Sequence, residues 1–482
     1  MISEHAKVAA NTTWFTLALV LQKFVSFIYF TYLARNLGAS RIGSYVFALS
    51  FIAIFSIIID FGTNHFITRE VAKDYTQAQN IFSNILGFKL ITSFLALLVV
   101  ILAVNLLGYS LIVRELVYIA SLLMIIESLV LTGYSIIRGF HNLKYESIGT
   151  IGVQVLTLIC GIIAMQFTDN LSVLMFILVV SNFLNLLFVF LLIKFKIKLN
   201  LSFRFDWNYW HKIVHIVIPF ALAAGFTKIY AAFDQILLSK LADSQALGFY
   251  AVAYKLAFAL QFLPLALVAA LYPAISTFFK TDKNSLNKVF TRAIYYLLII
   301  TIPMTAGIFV LAPEFINTLY TSAYAQAILP LKILILSLVF LFLNFPLGSL
   351  LNAADKQARN TINISLAMIF NIILNIILIP YYQATGAAMA SLFSTIFLFL
   401  INIRAVKGII NIDNKYILSI AGKTILSGII MGLVIYYLKS QLYWLLAGII
   451  GAIVYLILQF ILSSITKRDI LQMYQSFIKK EL

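Results

Sequence analysis

"LARNLGASRIGSYVFA", residues 33–48, returns 205 positions later as "LSKLADSQALGFYAVA", residues 238–253, without a gap. Over positions 15 to 48 this register gives eight identities in 34: Phe15/Phe220, Leu17/Leu222, Ala18/Ala223, Lys23/Lys228, Leu33/Leu238, Gly43/Gly248, Tyr45/Tyr250 and Ala48/Ala253. Apolar helices share leucines and alanines easily. A paired lysine and a Gly-x-Tyr-x-x-Ala match in the same register point to an internal duplication.

The repeated unit reads as membrane-spanning. Hydrophobic residues make up 62% of the 482 and charged residues 11%, with a mean hydropathy of +1.01, far from the soluble average of about 45–50% apolar and about 25% charged. Apolar runs long enough to cross a hydrocarbon core about 30 Å thick occur fourteen times, near residues 12–34, 43–64, 82–107, 115–137, 147–168, 171–193, 213–238, 248–273, 290–312, 326–351, 360–381, 385–403, 417–438 and 443–463. The first is too long for a signal-peptide core and is read as a retained helix. Six spans separate the two copies, an even number, so the copies run parallel about an axis along the membrane normal. The expected fold is an all-α polytopic membrane protein: two parallel six-helix repeats around a central cleft, plus two extra C-terminal helices.

The formal charge of +17 is explained by topology. With the N-terminus inside, 22 Lys and Arg fall on the cytoplasmic side and five on the other, Arg35, Arg41, Arg114, Lys240 and Lys439. The positive-inside rule then puts both termini in the cytoplasm, and nucleic acid is not needed as a partner. Cys160 is the only cysteine and lies in a span, which excludes a disulfide framework. His211 and His215 stand four apart without a third ligand nearby, so no metal is expected. The connecting loops leave no room for a soluble catalytic domain.

The boundary between repeats falls on "KFKIKLNLSFRFDW", residues 194–207, which alternates with the period of a strand. An open strand edge in lipid leaves backbone groups unpaired. We therefore read it as an interfacial linker, with Trp207 and Trp210 at headgroup level and the lysines toward lipid phosphates. The expected domains are 1–193, a six-helix bundle; 194–212, the linker; 213–404, a second bundle; 405–416, a linker; 417–463, helices 13 and 14; and 464–482, a cytoplasmic amphipathic tail with Ile470, Leu471, Tyr474, Phe477 and Ile478 on one face.

Three stretches resemble a known family. "DFGTNHFITREVAK" (60–73) looks like the end of the second helix of Wzx-type polysaccharide flippases, a branch of the multidrug/oligosaccharidyl-lipid/polysaccharide exporter superfamily. Residues 206–256, with Ile218-Pro219-Phe220, Asp234, Gly248-x-Tyr250 and Ala253-Tyr254-Lys255-Leu256, resemble its seventh and eighth helices. "NIILNIILIPYYQATGAAMAS" (371–391) resembles its eleventh-to-twelfth hairpin. The resemblance implies a MATE-like fold and movement of a polyprenyl-diphosphate-linked oligosaccharide from the cytoplasmic to the outer leaflet. The partners it implies are that glycan, membrane lipids, and the polymerase and chain-length machinery of surface polysaccharide synthesis, with the chain itself a monomer.

Ten ionisable residues fall inside the spans: Lys23, Asp60, Lys89, Glu127, Lys228, Asp234, Lys255, Arg292, Lys332 and Lys423. Lys89, Arg292 and Lys423 lie near span ends and can snorkel. At about 2.5–3.5 kcal/mol each near the bilayer centre, the other seven must line a wet cavity or pair with one another. One reading makes Lys23, Lys228, Lys255, Lys332 and Arg292 a cationic path for a lipid diphosphate. The other pairs the lysines with Asp60, Glu127 and Asp234. Those three acids are the candidates for coupling to H+ or Na+, Glu127 first because it sits at mid-span. No other cofactor is expected. A lipid II flippase or a multidrug/cation antiporter of the same superfamily is the nearest alternative. A membrane glycosyltransferase, polymerase or ligase would need a large external loop. All eight prolines, from Pro219 to Pro380, lie in the second half and are expected to kink or shape its helices.

Overall fold

The computed structural model describes residues 4–410 and 414–462, so the expected tail at 464–482 lies outside the described residues. Among the described residues the chain is helical throughout and contains no strand. It forms two compact units. Among the described residues the first comprises 4–255 and 368–387, and the second 256–367, 388–410 and 414–462.

The helices are α1 (Glu4–Leu37), α2 (Ala39–Asp60), α3 (Thr63–Lys73), α4 (Ala78–Leu106), α5 (Leu111–Gly139), α6 (Lys144–Met165), α7 (Leu171–Leu192), α8 (Trp207–Leu241) and α9 (Ser244–Ala257). They continue as α10 (Phe262–Thr281), α11 (Lys283–Val310), α12 (Ala312–Tyr320), α13 (Ile328–Ala353), α14 (Gln357–Val406), α15 (Asn414–Leu438) and α16 (Trp444–Ile461). Among the described residues thirteen helices are long and apolar enough to cross a membrane. At 1.5 Å per residue, the 50 residues of α14 would extend about 75 Å, over twice the hydrocarbon thickness. The helix breaks at Gln383 (φ 47, ψ −125), three residues after Pro380, and so supplies two crossings. Fourteen crossings result, as expected from the sequence. The run expected at 248–273 is realised as α9 and α10, joined by tight turns at Phe258–Leu263 in which Gln261 and Leu263 each donate three residues back.

The duplication is visible in the helix boundaries. α2 and α9 open at Ala39 and Ser244, and α4 and α11 at Ala78 and Lys283, each pair 205 positions apart. In the first unit the repeat-related helices also touch. A Cβ on Gly43 would stand 1.6 Å from the Ser244 carbonyl oxygen, and one on Gly248 would stand 2.0 Å from that of Ala39. Ala39 and Ser244 are themselves repeat partners, so the two contacts exchange under a local two-fold. Only glycine lets the two backbones approach this closely.

Elsewhere in the first unit α5 packs on α2 and α7, and α1 on α6. A core of Phe66, Ile67, Phe82, Ile85, Ile137 and Val189 is closed by Trp210 and Val217 of α8. In the second unit α11 packs on α13 and α15, with Tyr455 of α16 donating its hydroxyl to the Ile299 carbonyl at 3.0 Å. The outer faces of α15 and α16 expose Leu433, Tyr436, Tyr437, Ile449, Ile453 and Ile457, an apolar surface that water would not tolerate.

The stretch 194–207 is neither strand nor sheet edge. A π-helical turn at Ile193–Ile197 ends α7, with Lys198 at φ 64, and the chain then runs extended along α4. Gln79 accepts from the Asn200 N–H at 2.7 Å, the Ser83 carbonyl accepts from the Arg204 N–H at 3.1 Å, and Asn84 accepts from the Asp206 N–H at 3.0 Å. Asp206 then caps α8, accepting from Asn208 at 2.9 Å. The alternation therefore comes from a strap pinned to a helix, with Ile197 and Leu199 against the core. Trp207 is 72% exposed, whereas Trp210 is buried and stacks on Phe88 at 3.9 Å, which corrects its expected place at headgroup level. Proline behaves unevenly too. Pro219, Pro273, Pro303, Pro346 and Pro380 lie inside helices, whereas Pro264 and Pro330 fall in the first turns of α10 and α13, where no backbone donor is lost.

Gly43→Ala and Gly248→Ala should each destabilise the protein by about 1–3 kcal/mol. Because they act at one crossing, the double variant should lose less than the sum. Thermal melting of detergent-purified protein measures this, and unchanged midpoints would mean that the crossing contributes little.

Candidate functional site

Asp60 ends α2, and Phe61 (φ 37) and Gly62 (φ 71) turn the chain into α3 through two left-handed residues. A Cβ on Gly62 would stand 2.5 Å from the Ala221 nitrogen of α8, so the "DFG" glycine serves both the turn and the helix contact. The turn delivers the Asp60 carboxylate between two ammonium groups. Lys89 of α4 donates to Asp60 Oδ1 at 3.0 Å, and Lys228 of α8 donates to Oδ2 at 2.9 Å. The Ser128 hydroxyl of α5 donates to the same carboxylate at 2.7 Å. Lys89 is wholly buried and also reaches the Ser128 carbonyl at 3.0 Å and hydroxyl at 2.7 Å. Lys228 reaches Ser56 Oγ at 2.7 Å and remains 36% exposed. Two cations thus share one anion, and the more accessible cation keeps a donor to spare.

A second polar region is a cavity of about 420 Å³ lined from α1, α2, α5, α6, α7 and α9 of the first unit. Glu127 of α5 presents an exposed side chain to it. Across the lining, Lys255 of α9 donates to Ser26 Oγ at 3.1 Å and stands 5.3 Å over the Phe30 ring. Glu146, also in the lining, is held by Arg138, whose Nε donates at 2.6 Å. The Tyr134 hydroxyl donates to Asn185 Oδ1 at 2.6 Å.

The remaining candidates are dispersed. Lys23 is exposed on α1 and has no hydrogen-bond or ion-pair partner among the described residues. Asp234 is buried, accepting from the Tyr250 hydroxyl at 3.0 Å and the Asn375 amide at 2.8 Å. Arg292 is exposed on α11, and Lys332 of α13 lies over Phe309 at 5.3 Å, both in the second unit. The structure therefore joins Lys228 to Asp60, places Lys255 with Glu127, and leaves Asp234 in a separate hydrogen-bonded cluster.

Sequence reading placed Lys89 near a span end, free to snorkel. It lies instead eleven residues inside α4, because the helix starts earlier than hydropathy suggests. The signal was "DYT": Asp74 accepts from the Thr76 N–H at 2.9 Å and caps a turn that runs directly into α4. The Thr76 and Gln77 hydrogen bonds hold the Asp74 carboxyl below its ordinary range. The neutral cavity residues Gln22, Gln154, Asn182 and Asn185 were missed because they carry no charge. Their signal is a carboxamide in the middle of an apolar span.

Comparison with known proteins places the chain in a family. The profile of the family described as polysaccharide biosynthesis protein matches residues 8–279, and the MatE profile matches residues 219–377. The chain is 24% identical over 405 residues to a putative O-antigen transporter of Shigella dysenteriae, covering 79% of this chain and 95% of that one. It is 25% identical over 395 residues to the capsular polysaccharide biosynthesis protein CapF of Staphylococcus aureus, covering 79% and 94%. A 31% match to the probable flippase AglR of Haloferax volcanii covers 34% of this chain and 35% of that protein. Among solved structures, the lipid II flippase MurJ in an inward closed conformation superimposes with a TM-score of 0.77 at 20% identity, covering 93% of this chain and 98% of that one. An inward-facing multidrug resistance MATE family transporter gives 0.66 at 15% identity, covering 81% and 98%. The class is thereby defined as a polytopic transporter of the multidrug/oligosaccharidyl-lipid/polysaccharide exporter superfamily, and not an enzyme. The chain itself belongs to the polysaccharide biosynthesis protein family, whose profile spans more than half of it.

Removing the Asp60 charge strands Lys89 in a dry interior. Asp60→Asn should cost about 3–5 kcal/mol, seen as a lower melting temperature. Lys228→Ala should cost less, because Lys228 is partly solvated and Lys89 still balances the carboxylate. The reverse order of midpoints would show that Lys228 is the main partner of Asp60.

Proposed function

We propose that the protein is a flippase that carries a polyprenyl-diphosphate-linked oligosaccharide from the cytoplasmic to the outer leaflet of the cell membrane by alternating access. Both termini lie in the cytoplasm in this reading. The observation that carries it is the surplus of cation at Asp60, where two lysines share one carboxylate and Lys228 stays accessible. Charge buried in a span is costly, and a site that keeps a partly open ammonium at that cost is suited to an anion. A lipid diphosphate carries its charge beside the acyl chain, where spanning helices can meet it. Lys23, of the same unit, would extend the cationic set. The names of the relatives, an O-antigen transporter and a capsular polysaccharide biosynthesis protein, support a glycan cargo, which polymerase and chain-length machinery would take up outside. In this reading Glu127 carries a coupling H+ or Na+, supported by its opening to a cavity that also holds a lysine, with Asp60 and Asp234 behind it.

The superposition on a lipid II flippase favours one second reading, in which the same machinery moves lipid II. A multidrug cation fits a site where two lysines share one carboxylate less well.

Vesicles containing the purified protein and a fluorescent polyprenyl-diphosphate oligosaccharide should show translocation, tested against lipid II in parallel. Losing charge-assisted hydrogen bonds worth about 1.5–3 kcal/mol each, the Lys23→Ala/Lys228→Ala double variant should transport at least about tenfold more slowly at unchanged membrane abundance. Undiminished transport would remove the diphosphate role of these lysines. Glu127→Gln should abolish any dependence on the pH or sodium gradient, and a dependence that survives it would place coupling elsewhere.

A further inference from the structure

The cavity between α1, α5, α6 and α7 differs in chemistry from the lysine cluster. Its unshared ionic groups are one carboxylate, Glu127, and one ammonium, Lys255; Glu146 is already neutralised by Arg138. The free charges in the lining therefore balance. Lys23 and Lys228 are not part of the lining. An anion site is built from donors and excess positive charge, and a cation site from excess carboxylate. This cavity has neither.

It offers neutral groups that both donate and accept. Gln22 and Gln154 have no hydrogen-bond partner among the described residues. Asn182 spends one amide donor on the Leu178 carbonyl at 3.0 Å, which leaves its Oδ1 open. The Tyr29 hydroxyl is buried in the same lining, beside that of Tyr45. Three half-buried carboxamides with donors and acceptors to spare and one buried hydroxyl around a single space suit a ligand rich in hydroxyls, which can meet both kinds of group. Phe30 and Tyr29 add aromatic surface of the sort that packs on the C–H face of a sugar ring. At about 420 Å³ the cavity lies at the small end of the range for small-molecule sites, about 300–1,000 Å³, which suits one small ring system rather than a whole oligosaccharide.

We propose that this cavity is a saccharide subsite that takes a neutral pyranose ring of the cargo through Gln22, Gln154, Asn182 and Tyr29, separately from the lysines that meet the diphosphate. The proposal rests on the flippase reading and adds to it a division of the cargo: charge on one set of residues, sugar on another. The subsite decides which glycans the protein accepts.

The test compares binding of bare polyprenyl diphosphate with that of polyprenyl-diphosphate monosaccharides bearing glucose, galactose or N-acetylglucosamine, using the full-length protein in detergent. The wild type should bind at least one sugar-bearing lipid tenfold or more tightly than the bare lipid. Gln154→Leu/Asn182→Leu should reduce that ratio to near one. Gln22→Leu, on a different helix, supplies an independent variant if the double variant melts early. A wild type without sugar preference, or a preference that survives in the folded variants, would overturn the subsite while leaving the flippase reading in place. A wild type that binds none of these lipids would overturn both.

Discussion

One carboxylate holds the functional part of the first unit together. Asp60 accepts from Lys89 of α4, Lys228 of α8 and Ser128 of α5, so the end of α2 is tied to three other helices at a point where hydrocarbon forbids an unpaired charge. Lys89 exists there as a buried cation only because Asp60 is present, and the path of the chain at Phe61 and Gly62 exists to bring Asp60 to it. The same apolar surroundings make the pair expensive to assemble and its rupture more expensive still. This asymmetry keeps the network together while leaving Lys228, its most exposed member, available.

Polar chemistry in this protein is sorted by helix. The lysine cluster lies where α2, α4, α5 and α8 meet, and the neutral cavity is lined mainly by α1, α5, α6 and α7. Ser128 and Glu127 are adjacent on α5, one bonded into the first region and the other open to the second. A single helix thus borders both. At 3.6 residues per turn, consecutive side chains point about 100° apart, which is how neighbours in sequence serve different sites.

The duplication has a physical signature that identity alone lacked. Gly43 and Gly248 were aligned as repeat partners, and in the folded chain each abuts the residue that is the repeat partner of the other's contact. Eight identities spread over apolar helices would be modest support. Two backbone contacts that exchange under the same 205-residue shift are harder to produce by coincidence, because they require both the sequence and the packing to be related.

Hydropathy and charge by themselves determined the helical, membrane-spanning class and the 205-residue repeat, because the cost of backbone and charge in hydrocarbon leaves little freedom at that level. They also marked Asp60, Lys228, Glu127 and Lys255 as residues with a reason to be there. The partners of those residues were decided only by the tertiary structure. Lys89 was assigned to snorkel and is the buried centre of the network. Trp210 was assigned to the interface and lies under Phe88. The strand-like stretch 194–207 is a strap whose hydrogen bonds go to Gln79, Ser83 and Asn84 of α4. In each case the deciding contact joins residues more than a hundred positions apart or on separate helices, and the hydrophobic period along one helix carries no record of what its far side will meet.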